Sequence, residues 1–166
     1  MAINLTLEGI IQFLLDVEMF APLDVVELSE ILSIMDIQQF KKGADIFSEG
    51  DIGDGWYVIY RGSAKVRKRS PFSMDQTVAE LTQSFCFGEM AILDESPRSA
   101  TITCSEDMIA FRFSRRQFER LLDQDSIGAY KLVHGMACTL AERQRILNQK
   151  ITELTQELDT IEERVS

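Results

Sequence analysis

Gly88, Glu89, Arg98 and Ser99 are the residues best suited to chemistry, and they fall in one short stretch. It reads Phe87-Gly88-Glu89-Met90-Ala91-Ile92-Leu93, then Asp94-Glu95-Ser96, then Pro97-Arg98-Ser99-Ala100-Thr101. Gly88 lets the backbone turn sharply and leaves room beside it. Residues 89–93 are good helix formers and predict one short turn. The first amides of such a turn lack internal partners and can hold an anion. Arg98 follows a proline that stiffens the loop, and its guanidinium can fork onto two phosphate oxygens. Ser99 adds a hydroxyl and an amide. Glu89 would repel a phosphate, but it suits a hydroxyl on the same ligand, as acidic residues suit nucleotide ribose. Phosphate and ribose in one small pocket imply a nucleotide.

This stretch resembles the phosphate-binding cassette of the cyclic-nucleotide-binding domain family, of the type found in catabolite activator protein and in protein kinase A regulatory subunits. The resemblance implies that Glu89 takes the ribose 2′-hydroxyl and Arg98 the cyclic phosphate. Gly88, Ala91 and Ser99 would line the phosphate, and Phe87, Met90 and Ala100 complete the site. It also implies an α+β, mainly β fold: a double-stranded β-helix or jelly-roll barrel with N-terminal helices and a long C-terminal helix. The ligand would be cyclic AMP or cyclic GMP, with no other cofactor. An empty site would leave Glu89 and Arg98 as costly half-buried charges.

The rest of the chain must position these residues. Its 166 residues suit a single domain with a sizeable core. The formal net charge of −10 disfavours broad binding to nucleic acid or to an anionic membrane. The apolar run at 10–15 is too short to span a bilayer, and no basic stretch or cleavage site marks a signal peptide. Cys86, Cys104 and Cys138 match no zinc or redox spacing and read as reduced thiols of a cytoplasmic protein.

Three segments are expected: helices over 1–36, a β-barrel over 37–113, and helices over 114–166. Leu5, Leu7, Ile10, Ile11, Leu14 and Leu15 recur at helical spacing. Pro22 is expected to start a second helix, with Leu28, Ile31 and Leu32 as its apolar stripe, ending near Asp36. From there, glycines separate short alternating runs at 56–60, 63–66, 77–81, 100–103 and 108–113. The acidic tract 49–55 lacks the spacing and closing glutamate of a calcium loop and reads as turns. A hairpin loop is expected at 71–76, preceded by Arg61, Lys65, Arg67, Lys68 and Arg69, which read as a solvated strand face.

Ser114 with Gln117 predicts a capping box opening a short helix to about Leu122. Residues 123–126 then break it and cap a long helix, which Gly128 and Gly135 weaken at its start. Leu147, Ile151, Leu154, Leu158, Ile161 and Val165 alternate four and three apart, as a two-stranded coiled coil requires. Counting back places Gln144, Leu140, Ala137 and Val133 on the same seam. A homodimer through this helix is therefore expected. In the family the C-terminal helix covers the base, so Arg143 could stack over it and Gln144 could read its edge.

The expected function is a cyclic-nucleotide sensor that signals through its C-terminal helix to an unknown protein effector. No nucleic-acid or membrane partner is expected, since no helix-turn-helix unit follows the helix before Ser166. The alternative is a ligand-free scaffold that dimerises through the coiled coil. A haem sensor would need an axial ligand, and the only histidine, His134, sits in the long helix. No nucleophile–base constellation suggests an enzyme.

Overall fold

The computed structural model describes residues 5–69 and 76–165. Helix α1 (Leu7–Leu15), a 3-10 turn (Glu18–Phe20) and α2 (Val25–Leu32) come first. Strands β1 (Met35–Phe40), β2 (Asp45–Phe47), β3 (Gly55–Arg61), β4 (Ala64–Lys68), β5 (Gln76–Leu81) and β6 (Cys86–Phe87) follow. After the short helix α3 (Met90–Leu93) come β7 (Thr101–Cys104) and β8 (Met108–Ser114). Helices α4 (Arg115–Asp123) and α5 (Ile127–Val165) close the chain.

The strands form two four-stranded antiparallel sheets, ordered β1-β8-β3-β6 and β2-β7-β4-β5. The expected jelly-roll barrel is not a closed one, because among the described residues no ladder joins one sheet to the other. The expected "mainly β" content is corrected too. The 39-residue α5, added to the shorter helices, makes helix outweigh strand.

Two cores explain the strand patterns. Between the sheets lie Tyr57, Ile59, Ala64, Leu81, Phe87, Ile102, Met108 and Ala110. On the other face of the β1-β8-β3-β6 sheet, Trp56, Val58, Phe111 and Phe113 pack against Leu14, Phe20, Leu28, Ile31, Phe118 and Leu132 from the helices. Trp56 stacks on Phe113 with ring centroids 5.0 Å apart and meets Phe118 edge-on at 4.9 Å. Strand β3, covered on both faces, is buried from Gly55 to Ile59. Strand β5, at a sheet edge, is exposed up to Glu80.

Local signals account for most helix ends. α2 begins after Asp24, not at Pro22. Asp24 Oδ1 accepts from the amides of Val26 and Glu27, and Glu27 Oε2 accepts from the Asp24 amide, a complete capping box. α2 ends at Leu32 rather than near Asp36, because Met35 already pairs with Phe113 in the sheet. Ser114 caps α4 by accepting from the Gln117 amide at 3.5 Å. Ser126 caps α5 through the Ala129 amide at 3.2 Å, and its own hydroxyl donates to Glu30 at 2.6 Å.

Most of the expected hairpin loop at 71–76 lies outside the described residues. The basic run before it is largely exposed, as expected of a solvated face, and two of its side chains are paired. The register shifts between Val66 and Arg67, Arg67 meets Asp45 at 3.4 Å and Lys68 meets Glu49 at 3.2 Å.

Gly135 answers to packing rather than to helix weakness. A Cβ there would stand 2.1 Å from the Met19 carbonyl oxygen. The glycine lets α5 press directly on the 3-10 turn, and Ala129, Leu132, Met136 and Thr139 are buried along that face.

Candidate ligand-binding site

A cleft of about 140 Å3, partly open to solvent, lies between the inner face of the β2-β7-β4-β5 sheet, the 87–91 turn and α5. Phe87, Gly88, Glu89, Met90, Ala91, Arg98, Ser99 and Ala100 all line it, so the structure brings these eight sequence-derived residues together. Phe47, Val66, Leu81 and Ile102 supply an apolar wall.

The anion end is built around Gly88 and Arg98. Gly88 sits at φ +81°, and a Cβ on it would come within 2.7 Å of Arg98 Nη1. A side chain there would be strained by the backbone and would clash with the guanidinium. Immediately after, α3 makes its first bonds from the Ile92 and Leu93 amides to the Glu89 carbonyl. The amides before them have no acceptor within that helix.

Arg98 is only 3% exposed. Nη1 donates to the Gly88 carbonyl at 2.9 Å, and Nη2 donates to the Gly55 carbonyl at 2.7 Å and to Asp54 Oδ1 at 3.2 Å. The guanidinium lies 4.1 Å from the centre of the Phe47 ring. Nε, though buried, has no partner. A guanidinium carries five N–H groups, so Nε and one Nη1 hydrogen remain for a ligand. Burial pulls the Arg98 pKa down while Tyr57 and Asp54 oppose the shift, and an arginine stays charged through such changes. The main chain fixes the loop as well: the Arg98 amide donates to the Asp51 carbonyl at 2.8 Å, and the Gly50 amide to the Arg98 carbonyl at 2.9 Å.

The other end belongs to α5. Glu89 is 2% exposed, and its Oε1 accepts from Arg143 Nη1 at 2.5 Å. Arg143 Nη2 donates to the Cys86 carbonyl at 2.8 Å, and its guanidinium lies 4.6 Å from the centre of the Phe85 ring. Burial raises the Glu89 pKa, and Arg143 works against it. Arg143 therefore lines the cleft as expected, but it meets Glu89 and Phe85. Gln144 does not line the cleft. Its amide donates to Asn148 Oδ1 at 3.1 Å on the exposed side of α5, about one residue's turn away from Arg143. His134 is exposed on α5 and outside the cleft, with its ring 3.8 Å from Cys138 Sγ.

Sequence reasoning missed Asp54. The 49–55 tract forms the expected turns, yet Asp54 also holds Arg98. The available signal was an aspartate directly before the first long apolar strand. Nothing local said which side chain it would meet 44 residues later.

The family model for the cyclic nucleotide-binding domain matches residues 37–125. The chain belongs to that family. It is 31% identical over 116 residues to a cAMP-dependent protein kinase regulatory subunit from Mycosarcoma maydis, a match covering 67% of this chain and 22% of that protein. It is 34% identical over 111 residues to a cGMP-dependent protein kinase from Toxoplasma gondii, covering 67% of this chain and 11% of that protein. The matched part is thus a minor share of these relatives. Among solved structures, a cyclic nucleotide-binding domain from Methylobacillus flagellatus superposes with a TM-score of 0.77 at 26% identity, covering 87% of this chain and 81% of that one.

Proposed function

We propose that this chain is a receptor for cyclic AMP or cyclic GMP, binding one molecule per subunit, and that α5 carries the signal to a protein effector. The carrying observation is the buried Arg98, with its Nε unpartnered, in the same cleft as the buried Glu89. Arg98 takes the cyclic phosphate, with Ser99 and the amides beside Gly88. Glu89 takes the ribose hydroxyl. Because Arg143 already holds Glu89, a ligand hydroxyl that reaches this carboxylate must share it or displace Arg143, which ties occupancy to α5.

The distal part of α5 supports a homodimer. Leu147, Ile151, Leu154, Leu158 and Ile161 form a seam at heptad spacing and are 54–61% exposed. A parallel two-stranded coiled coil buries that seam. A regulatory rather than catalytic role fits the family, and the buried free thiols Cys86 and Cys104 fit a reducing, cytoplasmic setting. Among the described residues no helix is long and apolar enough to cross a membrane.

Calorimetric titration with each cyclic nucleotide tests the reading. Saturable binding near one per subunit, lost in Glu89→Gln or Arg98→Lys protein that remains folded, is the expected result. The absence of heat or of a thermal shift with either nucleotide overturns it in favour of a ligand-free scaffold.

A further inference from the structure

Asp54 faces two guanidinium groups, and only one belongs to the cleft. Its Oδ1 accepts from Arg98 Nη2 at 3.2 Å, and its Oδ2 accepts from Arg112 Nη2 at 2.8 Å. Arg112 Nη2 also donates to the Asp54 carbonyl at 3.2 Å. On its other side, Arg112 Nη1 lies 3.6 Å from Asp36 Oδ2. Arg112 sits on β8, opposite Asp36 of β1 and Tyr57 of β3. It does not line the cleft. The four groups make a line from the sheet edge to the site: Asp36, Arg112, Asp54, Arg98.

An aspartate in this position needs holding. The Asp54 side chain is 66% exposed, whereas that of Arg98 is only 2% exposed. A short, solvated carboxylate bound by a single contact at 3.2 Å has alternative rotamers within easy reach. Arg112 bonds both the side chain and the main chain of Asp54, which ties the carboxylate to its own backbone through one guanidinium nitrogen. So fixed, Asp54 shares Arg98 Nη2 with the Gly55 carbonyl, and Nε is left as a buried, unpartnered donor of that guanidinium. Arg112 also draws on the Asp54 charge, so that this carboxylate neutralises Arg98 less completely than it would alone.

We propose that Arg112 is a positioning residue for ligand binding: it clamps Asp54, and through Asp54 it holds Arg98 in the orientation that receives an anion. The inference rests on the cyclic-nucleotide reading above.

The test measures affinity for cyclic AMP and cyclic GMP in wild-type protein and in Arg112→Gln, Arg112→Lys, Asp54→Asn and the Arg112→Gln/Asp54→Asn double variant. Thermal unfolding of each is followed in parallel. Arg112→Gln is expected to weaken binding about three- to tenfold, the scale of one charge-assisted hydrogen bond lost indirectly. Arg112→Lys recovers part of this, because the charge returns without the fork. The double variant binds no worse than Asp54→Asn alone, because Arg112 acts through Asp54. Unchanged affinity in Arg112→Gln, or effects of the two substitutions that simply add, overturns the proposal while leaving the receptor reading intact. A purely structural Arg112 lowers the unfolding temperature without shifting affinity, and that pattern also overturns it. Wild-type protein that binds neither nucleotide overturns both.

Discussion

The two ends of the cleft are built differently. At the anion end, Arg98 is nearly sealed, bonded to the carbonyls of Gly88 and Gly55 and to Asp54, with its loop zipped onto residues 50 and 51. Of these anchors Gly55 opens β3, Gly88 directly follows β6, and the others lie in the turn that leads into β3. At the other end, Glu89 is held by Arg143, whose side chain is 30% exposed and rides on α5. That helix is anchored over 127–143 by buried residues such as Leu132 and Met136, while 146–161 is exposed. The contrast separates two tasks. On the proposed function, the well-anchored end would fix the ligand with little reorganisation, and the end carried on a helix would have two packings for a ligand to choose between.

The largest expected effect lies at the fixed end. Arg98→Ala removes the charged fork and should weaken cyclic-nucleotide binding at least tenfold, about 1.4 kcal/mol or more. Titration of folded variant protein measures this, and undiminished affinity there would break the assignment of the anion end. Next comes the anchor of α5. Gly135→Ala forces a Cβ against the Met19 carbonyl. It should destabilise the protein by about 1–3 kcal/mol, although alanine is the better helix former. Denaturant unfolding reads the difference, and a stabilised variant would mean that α5 is not pressed onto the 3-10 turn.

The distal seam provides a third comparison. Leu154→Glu places a charge in the heptad and should lower dimer affinity without altering the monomer's core, as light scattering over a dilution series would detect. Equal dimer affinity would put the interface elsewhere. Arg143→Ala is expected to change nucleotide affinity less than Arg98→Ala does, by about two- to fivefold. Its sharper readout is hydrogen exchange over 128–150. Nucleotide should alter exchange there in the wild type, and the change should shrink in the variant. Exchange that ignores nucleotide in the wild type would remove α5 as the output element.

The smallest effect is a pH dependence. Burial raises the Glu89 pKa above its ordinary 4.5. The folded state therefore holds this proton to higher pH than the unfolded chain does, and stability from this group falls as pH rises through 4.5 toward the folded value. Other carboxylates, such as Glu27 and Glu49, are shifted down and act in the opposite sense. The difference between wild type and Glu89→Gln isolates the group. The wild type should lose stability relative to the variant as pH rises past 4.5, in unfolding curves without ligand. A flat difference would mean that Arg143 compensates Glu89 fully.

Short-range features were legible in the sequence. The turn at Gly88, the helix caps at Ser114 and Ser126, the alternating strands and the exposed heptad of α5 are each set by neighbours a few residues apart, which is the range over which propensity and periodicity act. The cassette from Phe87 to Ala100 is also contiguous, so its residues could be grouped before any fold was known. Three strands, β1, β2 and β6, were not singled out. β1 carries Asp36, Gln38 and Gln39 on a half-exposed sheet edge, while β2 and β6 have only three and two residues. Such segments carry too little pattern to mark.

Only the tertiary structure decided the partners across the chain. Asp54 meets Arg98 and Arg112 because β3 and β8 pair and the loop before Arg98 folds onto the 49–51 turn. Arg143 rather than Gln144 reaches the cleft because adjacent helix positions point about 100° apart, and the side facing the sheets was fixed by packing at Gly135 and Leu132. A local sequence specifies which turns and helices form. The pairing of charges separated by 40 or 50 residues depends on how the two sheets and α5 close over a shared core.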